Sequence, residues 1–174
     1  MNKFNELFLN CQFILFCLLI EVNPIISRHM QVEINDKHFD LDLHGFSGTS
    51  INKDNTGTAF KLSDQLRKKL KALGLKNKGK NIWVYGPEET VFAGVELTEI
   101  HSPDTGLEYK KISLERYAYF KHIGPYTLIK PTGQHMRDEL NRRGFEMMLP
   151  YIEIYGHWNS DESKLETELF MSLI

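Results

Sequence analysis

From Met30 onward the sequence follows one plan twice: strand, helix, strand, strand. In the first half, residues 31–46 read as extended because Phe39, Leu41 and Leu43 alternate with Asp40 and Asp42. A loop rich in Gly, Ser, Thr and Asn runs over 45–58. Leu62, Leu66, Leu70 and Leu73 then recur at helical spacing, and Gly74 supplies the stop. Residues 82–85 and 91–97, joined through Gly86 and Pro87, make a hairpin. In the second half, residues 111–123 are the long strand, closed by Gly124 and Pro125. Ile129, Met136 and Leu140 mark the helix, with Pro131 in its first turn and Gly144 at its end. Residues 151–158 and 165–171 form the second hairpin. Each third element ends on a Tyr-Gly pair, Tyr85-Gly86 and Tyr155-Gly156, and the polar cluster at 102–106 connects the halves.

A small sheet with one helix leaves apolar surface uncovered, so neither half is stable alone and the two must associate. The fold class that follows is α+β: duplicated βαββ halves with pseudo-twofold symmetry, whose antiparallel sheets form a central ligand cleft with helices packed behind. Residues 30–174 make the domain, with halves at about 30–101 and 107–174, a size that buries a full core.

Composition narrows the function classes. The chain is 41% hydrophobic and 25% charged, far from a disordered profile. Its 21 Lys and Arg against 23 Asp and Glu argue against direct nucleic-acid binding, which needs a basic excess or stripe. The basic run Arg67, Lys68, Lys69, Lys71, Lys76, Lys78 and Lys80 reads as the solvated face of a helix and its exit loop. Both cysteines, Cys11 and Cys17, precede the domain, which leaves no thiol for a disulfide framework and implies a reducing cytoplasm. The seven histidines are scattered singly, without the spacing that puts two imidazoles on one metal, so neither metal nor cofactor is expected.

Residues 1–29 are an apolar extension outside the domain, with the stretch 7–20 strongly apolar. A membrane span is one reading, although the stretch is short and Asn10 and Gln12 interrupt it. A signal peptide is another, although no small-residue cleavage site follows. The third is a start assigned too early, with the natural protein beginning at Met30, and the last is an unusual N-terminal helix that packs on the domain or a partner. No membrane role is expected unless this segment is genuine.

Strand parity sorts the chemistry. Tyr151, Glu153, Tyr155 and His157 share one face of their strand, while Ile152 and Ile154 share the other, which is expected to pack under the helices. Aligning the halves on their Tyr-Gly pairs puts Trp83 opposite Glu153 and Tyr85 opposite Tyr155. The groove is then lined by Trp83, Tyr85, Tyr151, Glu153 and Tyr155. Aromatic faces attract cations, and a buried carboxylate needs a cation or hydrogen-bond donors to offset its desolvation. A lipophilic cation meets both needs. From the pattern alone, an equal alternative is Glu153 paired with Lys or Arg on an exposed sheet.

Three stretches carry a resemblance: ERYAYFKHIGPY over 115–126, LPYIEIY over 149–155 and ETELF over 166–170. Together they resemble the GyrI-like small-molecule-binding domain, the effector-binding domain of Rob- and BmrR-type transcription regulators, which also occurs in stand-alone gyrase-inhibitory proteins. The resemblance covers most of the chain from about Met30 to Ile174. It implies a central cleft for hydrophobic, often cationic, compounds, with the ligand-contacting glutamate of the family's E-x-Y strand at Glu153 and its tyrosine at Tyr155. Ser172 departs from the family, whose final strand usually carries proline there. Residues 1–29 also lack the polar, basic recognition helix of a helix-turn-helix.

Three functions follow. The first is a stand-alone module that binds or sequesters a hydrophobic, cationic or aromatic small molecule. The second is a small hydrolase of cyclopropane-containing toxins with Glu153 as acid and base, which the resemblance implies for some members. The third is a protein-interaction module with DNA gyrase or a separate DNA-binding regulator as partner. No residue pattern demands catalysis, since neither GxSxG nor a phosphate loop is present.

Overall fold

Each long extended segment of the sequence breaks in two, and the breaks set the topology. The computed structural model describes residues 31–99 and 105–174. The apolar stretch 7–20, both cysteines and most of the connection at 102–106 lie outside them. In place of one strand over 31–46 there are β1 (Glu33–Asn35) and β2 (Phe39–Thr49). In place of one over 111–123 there are β5 (Glu108–Leu114) and β6 (Tyr117–Ile123). The remaining elements are α1 (Asn55–Leu73), β3 (Asn81–Tyr85), β4 (Thr90–Val95), α2 (Ile129–Arg142), β7 (Met147–Tyr155) and β8 (Glu166–Leu173). The loop expected over 45–58 shrinks, because β2 runs to Thr49 and α1 starts at Asn55.

The eight strands form one antiparallel sheet in the order β1-β6-β8-β7-β3-β4-β2-β5. That order is symmetric about the central β7–β3 pair. The edge strands are exchanged between halves: β1 pairs with β6 of the second half, and β5 pairs with β2 of the first. A strand must end where its partner changes, so the chain bends between β1 and β2 and again between β5 and β6. Ion pairs join the two bends, Arg116 to Asp36 at 2.9 Å and His38 to Glu115 at 3.0 Å.

Both faces of the sheet are covered, by different means. One carries Leu41, Leu43, Ile82, Val84, Phe92, Ile152, Ile154 and Phe170 in a single buried cluster without any helix residue. Phe39 of β2 stacks on Phe170 of β8 at 4.6 Å although three strands separate them in the sheet order. The sheet therefore curls until its own strands meet, as a twisted eight-stranded sheet tends to do. Ile152 and Ile154 thus do not pack under the helices. Alternation reveals that two faces differ but not what covers each, and here the curl covers the aliphatic one. Eight aliphatic and aromatic side chains withdrawn in this way contribute roughly 1.5–3 kcal/mol each.

The helices cross the other face. Asp54 caps α1 by accepting from the Gly57 amide at 2.9 Å, and Gly74 ends it in the left-handed conformation at φ 64°. Ala59 of α1 is buried against Trp83, Val91 and Ala93. α2 is anchored by His122, buried on β6, whose Nε2 donates to the Pro125 carbonyl and whose Nδ1 accepts from the Thr132 hydroxyl, each at 3.2 Å. Among the described residues no helix is long and apolar enough to cross a membrane.

Candidate functional site

At the centre of the sheet, on the helix-covered face, β3 and β7 bring Trp83 directly opposite Glu153 and Tyr85 opposite Tyr151. Tyr155 lies opposite Asn81, so Tyr85 and Tyr155 are related by the pseudo-twofold rather than paired in the ladder. The five expected groove residues converge. His157 does not join them: β7 ends at Tyr155, and the imidazole packs against Gly79, where a Cβ would come within 2.8 Å of it.

Glu153 is 7% exposed, so its carboxylate has lost nearly all its water. The Tyr155 hydroxyl donates to Glu153 Oε2 at 2.7 Å and the Tyr85 hydroxyl donates to the same oxygen at 3.1 Å. Glu153 has no ion-pair partner among the described residues; the positive charge that acts on it is Arg137 of α2. The reading in which Glu153 pairs with a surface Lys or Arg does not hold, because the curled sheet and the helices enclose it.

Burial raises the Glu153 carboxyl above its ordinary pKa, while the hydroxyls of Tyr155, Tyr85 and Tyr151 and the Arg137 charge pull the other way. The tyrosines respond in kind. Burial and then the Glu153 charge raise Tyr85 and Tyr155, and Tyr151 rises for the same reasons, so all three are neutral donors at physiological pH. Such a carboxyl can hold a cation, and its raised pKa also suits proton transfer.

Aromatic rings surround this carboxylate. Trp83 and Tyr155 lie 4.6 Å apart, Phe60 meets Trp83 edge-on at 4.9 Å, and Tyr126 meets Tyr155 edge-on at 5.3 Å. Trp83 Nε1 donates to Ser63 Oγ at 2.8 Å, which fixes the indole against α1. Tyr85 and Tyr151 stack at 5.7 Å, and the Arg137 guanidinium sits 5.7 Å from the Tyr151 ring. Gly133 of α2 makes room for the Tyr151 hydroxyl, since a Cβ there would stand 3.1 Å from it.

Beside this cluster a cavity of about 850 Å³ opens between α1 and the sheet, within the roughly 300–1,000 Å³ of small-molecule sites. Trp83 and Tyr155 are in its wall; Glu153, Tyr85 and Tyr151 stand behind that wall. Tyr155 is thus the link between the cavity and the carboxylate. Phe60, Ser63, Tyr126 and Trp158 also line the cavity and were not among the sequence candidates. Tyr126 lies within the ERYAYFKHIGPY stretch, so a signal for it existed. Phe60 and Ser63 are legible only once α1 is placed over Trp83. Arg67 and Lys71 belong to the cavity wall as well as to the exposed basic face. No group of three or more metal-ligating side chains occurs among the described residues.

No family model and no curated protein matches the sequence. Solved structures do. The EcmrR C-terminal domain superposes with a TM-score of 0.64 at 15% identity, over 83% of this chain and 99% of that one. SAV2435 bound to tetraphenylphosphonium superposes with a TM-score of 0.59 at 16% identity, over 83% and 94%. This is the GyrI-like effector-domain fold. In the EcmrR–DNA complex this chain matches 63% of the regulator's length, less than two thirds of it, with a TM-score of 0.60 at 15% identity over 92% of its own. A hydrolase from Listeria innocua also superposes, with a TM-score of 0.52 at 12% identity, over 86% of this chain and 95% of that one.

Proposed function

We propose that this chain is a small-molecule-binding effector domain that takes up hydrophobic, cationic or aromatic compounds in the cavity between α1 and the sheet. The observation that carries this reading is Glu153, a buried carboxylate without an ion-pair partner among the described residues, set behind an aromatic cavity wall. A negative charge in such a place is costly unless a positive one joins it. A lipophilic cation supplies the charge and covers Trp83 and Tyr155 with apolar surface, each aromatic contact adding about 0.5–2 kcal/mol. SAV2435, which shares the fold, is bound to tetraphenylphosphonium, a cation of this class.

Tetraphenylphosphonium titrated calorimetrically into the protein and into Glu153→Gln tests the reading. Binding to the unaltered protein, with loss of about tenfold or more in the variant, is expected from removal of a partly desolvated charge pair. Equal affinity in both proteins would refute the assignment of Glu153.

One observation favours a second reading. The carboxyl of Glu153, raised by burial, shares Oε2 with two neutral phenols, an arrangement suited to acid–base hydrolysis. A hydrolase from Listeria innocua has the same fold. Under this reading Glu153→Gln still binds uncharged compounds and loses all turnover of a cyclopropane-containing substrate, which chromatography of the incubated mixture would detect.

A further inference from the structure

The cavity wall carries a second charge of opposite sign. α1 sets Phe60, Ser63, Arg67 and Lys71 along it, at spacings of three and four residues that place them on one face of the helix. The Arg67 guanidinium pairs with Asp64 one turn earlier, and Asp64 also lines the cavity. The Lys71 ammonium has no ion-pair or hydrogen-bond partner among the described residues, so it is the uncompensated cation of the wall. On the sheet side, Tyr155 connects the same cavity to Glu153.

A simple lipophilic cation drawn toward Tyr155 and Glu153 must share the cavity with the Lys71 ammonium, which repels it. A ligand carrying a positive and a negative group relieves both mismatches. We propose, resting on the reading above, that the preferred ligand class is a zwitterion: a flat aromatic cation bearing an acidic group, its cation toward Tyr155 and Glu153 and its anion at Lys71. Lys71 is then a specificity-determining residue. Its position in the last turn of α1 also suits the helix dipole, but that role is blind to ligand charge. A pair of ligands differing only in the acid separates the two roles.

The test uses the full chain and two dyes, rhodamine B with its free carboxylate and the ethyl ester of rhodamine B, with affinities read by fluorescence anisotropy. Because Lys71 is solvent-exposed, its pairing is screened, and the free acid should bind about threefold to fivefold tighter than the ester. Lys71→Glu replaces attraction by repulsion and should weaken the free acid by about tenfold while leaving the ester unchanged or tighter. Lys68→Glu, on the same helix but outside the cavity wall, controls for net charge and should leave the preference between the dyes intact. Equal binding of both dyes, or an equal effect of Lys71→Glu on both, overturns the zwitterion assignment and leaves the cavity reading standing. Failure of both dyes and of tetraphenylphosphonium to bind overturns the cavity reading, and this inference with it.

Discussion

Replacing Glu153 by Gln probes the buried carboxyl without any ligand. Burial holds this carboxyl above its ordinary 4.5 in the folded protein, only partly offset by the hydroxyls of Tyr155, Tyr85 and Tyr151 and by Arg137. A group whose folded pKa is raised contributes stability that is fully present below its unfolded pKa, and that contribution is lost as pH rises through the folded value. Within that window the wild type loses about 1.4 kcal/mol per pH unit from this one group. The glutamine side chain does not titrate. Its oxygen keeps both tyrosine donors, but its amide hydrogens gain no acceptor in the cluster, a pH-independent cost of about 1–3 kcal/mol. The variant should therefore be the less stable protein below pH 4.5, and the gap should narrow as pH rises above it. Urea unfolding at closely spaced pH values measures this directly, provided the slopes m agree between the two proteins. A stability gap that stays constant with pH would refute the claim that Glu153 is an ionisable group raised by burial.

Four further outcomes are expected. Phe39→Ala should cost about 2 kcal/mol in chemical denaturation, less than the roughly 3–5 of a fully buried ring, because Phe39 is half-buried where the sheet curls onto Phe170; no cost would mean the aliphatic face is not closed by the curl. Asp54→Ala should cost about 1 kcal/mol and Asp54→Ser should restore most of it, since a short side-chain acceptor is all that the cap of α1 requires. The His38 imidazole, bonded to Glu115 and Asp40, should titrate above 6.5 by NMR and move back toward that value in Glu115→Gln. Its stabilising contribution is then present below 6.5 and lost as pH climbs through the folded value, and a midpoint at or below 6.5 would refute the pairing. The chain has two tryptophans, so Trp158→Phe leaves Trp83 as its single indole. Saturating tetraphenylphosphonium should change the emission of that variant, and an unchanged spectrum would place the ligand elsewhere.

The repeat of the sequence determined much of this protein. Strand alternation, the leucine spacing of α1 and the two Tyr-Gly pairs located both halves, and parity alone put Tyr151, Glu153 and Tyr155 on one face. Those signals are local, because backbone geometry dictates which neighbours share a face. Pairing is different. Nothing local told that residues 31–46 and 111–123 each divide between the two halves, since an exchanged edge strand has the same alternation as an unexchanged one. Parity likewise could not decide whether Ile152 and Ile154 meet helices or other strands, and the curl that joins Phe39 to Phe170 settled it. The cavity is tertiary throughout: it arises where α1 crosses the sheet and sets Ser63 against Trp83, Phe60 over its ring and Lys71 along the wall. The sequence named the carboxylate, but only long-range packing withdrew it from water and put a cavity beside it.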